Sequence, residues 1–257
     1  MSAPVAVVTG ASRGIGRRLC GDLARAGYDV VCTARSSEES RGRLPGTIEA
    51  TAEEVRAAGR RALPVALDVR DEGGVAALAE RVFADWGRCD LVVNNAALAP
   101  PKPALDDTTK RWRLGLEVNV NGPFYFVYYF APRMEPGEGR IVNISSGASQ
   151  APEFGRAGYT TTKAALEAMT RSLAHDLRGR VAVNCVRLEV PVWTEGFAAT
   201  LPPGVDFPFE DAVIMSDAVL WFARQPLSVS GEVLSIADLR ARGAVRPFTP
   251  AKRGEAG

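Results

Sequence analysis

Short continuous apolar runs alternate along the chain with longer stretches of helical period. The runs at residues 5–8, 29–33, 62–67, 91–93, 141–144, 181–186 and 232–236 read as strands. Residues 15–26, 47–58 and 75–86 read as helices, the first two stopping at Gly27 and Gly59. Apolar strands separated by helices predict a parallel sheet buried on both faces. Right-handed crossovers then make it a doubly wound α/β fold. With no internal repeat and no composition shift, residues 1–245 read as one domain and 246–257 as a flexible polar tail.

Three segments interrupt the alternation. Residues 36–46 lengthen the connection after the second strand, 97–103 are proline-rich, and 188–208 carry Gly196, Pro202, Pro203 and Gly204 without clear periodicity. Long irregular connections in a compact domain are often binding loops or lids.

Composition changes this picture little. At 46% hydrophobic and 24% charged residues, the 257-residue chain fits a globular protein rather than a disordered one. A net charge of +1 offers no general attraction to nucleic acid or an anionic membrane. No apolar stretch approaches a bilayer-spanning length. Cys20, Cys32, Cys89 and Cys185 show no metal-ligand spacing, and His175 is the single histidine, so no metal site is expected. Reduced thiols and no secretory signal suggest a cytoplasmic protein.

The first strand runs into Thr9-Gly10-Ala11-Ser12-Arg13-Gly14-Ile15-Gly16. Glycines there let backbone approach a pyrophosphate, and the next helix offers free amides and its positive dipole end. A plain glycine turn has the same look. The second strand ends Cys32-Thr33-Ala34-Arg35, without the acidic residue that binds a ribose 2′-hydroxyl in NAD enzymes. Arg35, and Arg13 within the glycine loop, suit a 2′-phosphate, which points to NADP(H). Two solvated arginines are the bland alternative.

Tyr159 and Lys163 stand four residues apart in a stretch of helical period. With five tyrosines and four lysines in the chain, chance supplies only about 0.08 such pairs. A nearby ammonium stabilises a phenolate and makes tyrosine a usable acid or base. A surface pair on a helix is the alternative.

Together these motifs resemble the short-chain dehydrogenase/reductases, over nearly the whole length. TGASRGIG is similar to that family's cofactor loop, and Asp68-Val69 to its adenine-contacting pair. Asn94-Asn95-Ala96 matches its signature after the fourth strand, followed here by Ala97 instead of glycine. Asn119 falls on its helix asparagine, and Ser146 lies 13 residues before Tyr159. Residues 44–55 with DVRDE further resemble the hydroxysteroid-dehydrogenase-like branch.

The resemblance implies a Rossmann-like fold and a site built of Asn119, Ser146, Tyr159 and Lys163. Gly10, Ser12, Arg13, Gly14, Ile15, Gly16, Arg35, Asp68, Val69, Asn95, Ala96, Ala97 and Thr194, with Tyr159 and Lys163, would hold the cofactor. The implied activity is interconversion of a carbonyl and its alcohol. Tyr159 acts as acid, Ser146 stabilises the oxygen, Lys163 holds the nicotinamide ribose, and Asn119 supports a water chain. Ser145 is the neighbouring candidate, and spacing favours Ser146. The alternative is a weakly catalytic NADP(H)-binding sensor or interaction protein.

Leu188-Glu189 stands where the family usually has Pro-Gly. Glu189 is then either a substrate contact or a structural residue, paired with Arg187 or solvated. Residues 235–240 depart from the family's Val-Asp-Gly-Gly. Phe124, Tyr125, Phe126, Tyr128, Tyr129 and Phe130 crowd one helix, suiting core or subunit contact rather than base stacking, in a homodimer or homotetramer. Trp193, Phe197 and Phe207 suggest a partly apolar small-molecule substrate or simple lid packing. His175 reads as a surface or packing residue.

Overall fold

The computed structural model describes residues 2–99, 101–151, 153–199 and 208–251. Seven parallel strands form one sheet: β1 (Val5–Thr9), β2 (Asp29–Ala34), β3 (Ala62–Ala66), β4 (Leu91–Asn94), β5 (Gly139–Ser146), β6 (Val181–Leu188) and β7 (Val233–Ser235). Their order is β3-β2-β1-β4-β5-β6-β7. This is the Rossmann-like, doubly wound single domain expected from the alternation.

The nearly continuous apolar strands are explained by two cores. Ala6 and Val8 of β1 enter one with α1 (Gly14–Arg25) and α8 (Val213–Arg224), whose Leu19, Leu23, Ile214 and Phe222 are buried. Val5 and Val7 enter the other with α3 (Glu72–Trp86) and α5 (Gly122–Phe130), through Leu78, Val82, Phe126 and Phe130. Successive residues of β1 thus face opposite layers, the two-residue period of a strand.

The remaining helices are α2 (Ile48–Ala57), α4 (Thr109–Leu116), α6 (Ala157–Asp176), α7 (Glu195–Ala198) and α9 (Ile236–Ala241). The π-helical turn Glu117–Asn121 joins α4 to α5. Three details differ from the sequence reading. The last strand stops at Ser235, because Ser235 and Asp238 form a reciprocal capping box that starts α9. The segment 188–208 contains α7, capped by Thr194, whose hydroxyl accepts from the Phe197 amide at 3.0 Å. The expected tail starts out tied down. Arg246 binds Asp217 at 2.6 and 2.9 Å, and the Ala251 amide donates to the Phe209 carbonyl at 2.9 Å. Residues 252–257, like Pro202, Pro203, Gly204 and Phe207, lie outside the described residues.

Asp29, at the start of β2, fixes the turn leading into β3. Its buried carboxylate accepts from Arg60 Nη2 at 2.7 Å, Arg61 Nε at 2.6 Å and the Arg61 amide at 3.0 Å. Burial alone would raise its pKa; the hydrogen bonds from Arg61 and the charges of Arg60 and Arg61 outweigh that and hold it below the usual range. A folded pKa below the unfolded one stabilises the fold at neutral pH, and that contribution disappears as pH falls through the folded value. The melting temperature should therefore drop below about pH 4, and Asp29→Asn should shrink that drop. An acid limb of equal size in the variant would contradict this role.

Candidate functional site

Strand order reverses direction from β1, with β2 on one side and β4 on the other. The crevice at the carboxyl ends of strands beside such a switch point is the usual ligand position in this architecture. The glycine loop, Asn94-Asn95, Ser146 and Leu188-Glu189 all lie at these strand ends.

The loop after β1 is built for close approach. Gly10 and Gly14 adopt φ of +68° and +53°, where a Cβ is strained. A methyl on Gly16 would overlap the Gly10 carbonyl oxygen and stand 2.7 Å from Asn95 Nδ2. Asn95 closes the loop from β4: its Nδ2 donates to the Thr9 carbonyl at 2.8 Å. Thr9 Oγ1 in turn accepts from the amides of Asn95 (3.0 Å) and Ala96 (2.9 Å). Ser12 is buried, and Ile15 packs on the core under the loop. Ala97 is exposed at the start of the next loop.

This geometry fits a dinucleotide. The residue before α1, Arg13, makes no side-chain cap, and no acidic residue occupies the first turn. The amino end of α1 therefore has no cap from its own first turn, although the Glu195 carboxylate comes close to it at Gly14. Thr194 reaches this end too, with its side chain against Gly14.

The two candidate 2′-phosphate readers differ in environment. Arg13 Nε donates to the Pro45 carbonyl at 2.8 Å, and its Nη2 to Ser36 Oγ at 2.9 Å and the Leu44 carbonyl at 3.0 Å. It thereby folds the 36–46 connection against the glycine loop. Burial, with the nearby Arg35 charge, lowers its pKa despite the opposing Glu195 carboxylate. Arg35 keeps a 68% exposed side chain, with Asp68 at 3.9 Å. Asp68 is engaged more closely by Arg70 at 2.7 Å, which with its own amide holds the carboxyl below the usual range. Val69 is buried against Gly122.

Tyr159 and Lys163 share one face of α6. Lys163 is 3% exposed, and its Nζ donates to the Ile144 carbonyl at 2.7 Å while standing 5.7 Å from the Tyr159 ring centre. Among the described residues no carboxylate pairs with it. Tyr159 itself is half-buried. Ser146 is also half-buried, its hydroxyl accepting from the Ala148 amide at 3.3 Å. Ser145 is buried on the other side of the strand, donating to Glu167 at 2.8 Å. The two adjacent serines thus stand in different environments. Asn119 sits buried in the π-helical turn; its Oδ1 accepts from the Leu98 amide at 2.8 Å, and its Nδ2 donates to the Leu98 carbonyl (2.9 Å) and Thr162 Oγ1 (3.0 Å). It ties the 97–103 loop to the helix of Tyr159. Single π turns often accompany functional positions.

Glu189 has a structural role of its own. Its two carboxylate oxygens accept from the amides of Ile236 (2.9 Å) and Ala237 (2.7 Å) at the start of α9. It does not pair with Arg187, and the residue stays exposed while making these two bonds. Arg187 instead binds Glu167 at 2.7 and 3.0 Å. Leu188-Glu189 therefore replaces the family's turn with a side-chain clasp onto the segment that departs from Val-Asp-Gly-Gly.

Sequence reasoning missed Thr9, Glu167 and Glu195. The Glu195 carboxylate approaches Gly14, with one buried oxygen lacking a hydrogen-bond partner. Thr9 opens the TGASRGIG stretch, whereas nothing local in the sequence marks Glu167 or Glu195. The aromatic helix divides: Phe126 and Phe130 stack at 5.7 Å in the core, and Phe124 and Tyr128 stay exposed. His175 lies exposed in the last turn of α6. Among the described residues no His, Cys, Asp and Glu cluster could hold a metal ion, and no helix is long and apolar enough to cross a membrane.

Residues 4–196 match the short chain dehydrogenase family. Human hydroxysteroid dehydrogenase-like protein 2 is 30% identical over 244 residues; the match covers 94% of this chain but only 58% of that protein. A metagenomic short-chain oxidoreductase in complex with NADP is 31% identical, with a TM-score of 0.74, over 91% of this chain and 98% of that one. A short chain dehydrogenase from Mycobacterium paratuberculosis bound to NAD is 26% identical, with a TM-score of 0.78, over 90% and 95%. Relatives of both cofactor types therefore share this fold. By sequence and fold alike, the chain belongs to the short-chain dehydrogenase/reductase family.

Proposed function

We propose that this protein interconverts a ketone or aldehyde and its alcohol with NADP(H), using Tyr159 as the acid and base. The observation that carries this reading is Lys163: a buried ammonium, without a carboxylate partner among the described residues, held beside the Tyr159 ring. A cation so placed lies close to the ring on which charge develops as a proton leaves or returns, the arrangement that acid and base work by Tyr159 requires. Bound NADPH would supply the hydride to the carbonyl carbon. Tyr159 gives its proton to the carbonyl oxygen, and Ser146 donates a hydrogen bond to that oxygen as charge develops. Asn119 keeps the loop and α6 in register and supports the water path by which Tyr159 regains its proton.

Preference for NADP(H) is assigned to Arg35, whose exposed guanidinium follows the end of β2 where NAD enzymes place a carboxylate. Arg13 contributes charge and holds the adjacent loop. Arg35→Asp should raise the Kd for NADPH by about ten-fold or more while changing that for NADH little, as expected for loss of one charge-assisted contact of about 1.5–3 kcal/mol. Equal loss for both cofactors, measured by quenching of protein fluorescence, would remove Arg35 as the reader.

The altered Leu188-Glu189 turn is the feature that would favour a sensor. Glu189 holds this turn in place through α9, so that change does not argue for a degraded site. Trp193 and the Phe197–Phe209 ring pair at 5.5 Å support a partly apolar substrate. The exposed Phe124 and Tyr128 support association into a homodimer or homotetramer.

A further inference from the structure

Glu167 is charged, 1% exposed and one helical turn beyond Lys163 on α6. Its Oε1 accepts from Ser145 Oγ at 2.8 Å, Ser149 Oγ at 2.6 Å and Arg187 Nε at 3.0 Å. Its Oε2 accepts from Arg187 Nη2 at 2.7 Å and Gln150 Nε2 at 3.4 Å. Burial opposes the charge, but Arg187 and the hydroxyls of Ser149 and Ser145 outweigh it and keep the pKa low, so the carboxylate stays ionised.

The position of these partners matters more than their number. Ser145 and Ser149 bracket Ser146, and Arg187 is the β6 register partner of Ser145. Lys163 grips the same strand at the Ile144 carbonyl. One carboxylate therefore clamps both sides of Ser146, and the end of β6, to the helix that carries Tyr159 and Lys163.

Resting on the carbonyl–alcohol reading above, we propose that Glu167 is a positioning residue that sets where the Ser146 hydroxyl stands relative to Tyr159. It touches no reacting atom. Oxygen stabilisation depends steeply on donor placement, so loosening the clamp should lower kcat more than it weakens binding.

Removing Glu167 or Arg187 alone strands a buried charge and threatens the fold. The test therefore uses Ser145→Ala/Ser149→Ala, which keeps the Glu167–Arg187 pair. On a substrate turned over by the wild type, kcat should fall about ten-fold or more, with KM and the NADPH Kd within about two-fold. Ser149→Thr, which retains a hydroxyl, should stay within about three-fold of wild type. Amide hydrogen exchange at 146–149 should accelerate about ten-fold, with 159–163 unchanged. If kcat and exchange both match wild type, or kcat falls only in step with NADPH affinity, the positioning role is wrong. If the wild type turns over no carbonyl or alcohol, the function reading fails, and the exchange comparison alone then decides whether Glu167 holds the Ser146 turn.

Discussion

Tyr159→Phe should lower kcat/KM by roughly 10²–10⁴-fold, the usual range for loss of a positioned acid or base. The change removes one oxygen and leaves the ring beside Lys163. The NADPH Kd and the melting temperature should therefore stay close to wild type, because Tyr159 is half-buried and its phenol carries no described structural hydrogen bond. A variant that binds NADPH yet barely turns over separates chemistry from folding. Full turnover in Tyr159→Phe would move the acid elsewhere and leave the Lys163 ammonium without the use assigned to it.

Gly16→Ala should produce the largest loss of cofactor binding. The added methyl overlaps the Gly10 carbonyl oxygen and presses on Asn95 Nδ2 at 2.7 Å. Neither can retreat freely. Gly10 is backbone at φ +68°, and Asn95 holds the Thr9 carbonyl. Overpacking of this kind costs about 1–3 kcal/mol of stability. The same displacement opens the phosphate cradle, so the NADPH Kd should rise by more than about ten-fold, near 1.4 kcal/mol. Gly73→Ala is the control. Its nearest neighbour would be Asp71 Oδ1 at 3.6 Å, and it sits in the first turn of α3. That substitution should leave binding unchanged and stability equal or slightly higher. Unchanged thermal melting and titrations for Gly16→Ala would show that the loop is not packed as described.

Much of this architecture was legible because its signals are local. β1 and β2 are buried on both faces and therefore read as unbroken apolar runs. The glycine loop and the Tyr159–Lys163 spacing lie within short windows. Spacing favours Ser146 over Ser145 as the site serine, and the structure buries Ser145 on Glu167.

What stayed hidden depends on contacts between distant segments. Glu167 looks like a solvated helix position until Arg187, twenty residues later, is brought beside it by the β5–β6 register. Arg13 read as a phosphate ligand, and the structure adds that most of its donors fold residues 36–46. Glu189 looked like a charge placed near the nicotinamide, yet its carboxylate turns to α9, 47 residues away. That helix did carry a local sign, the Ser235-x-x-Asp238 capping pattern, which the apolar run of the last strand obscured.

The central claim is hydride transfer governed by Tyr159. Its most direct measurement is incubation of the wild-type protein with a ketone and aldehyde panel and NADPH carrying deuterium at the transferable nicotinamide position. The expected result is NADPH consumption and an alcohol bearing deuterium on its carbinol carbon, with Tyr159→Phe slowing both by roughly 10²–10⁴-fold. Tight NADPH binding with no deuterium in any product would contradict it.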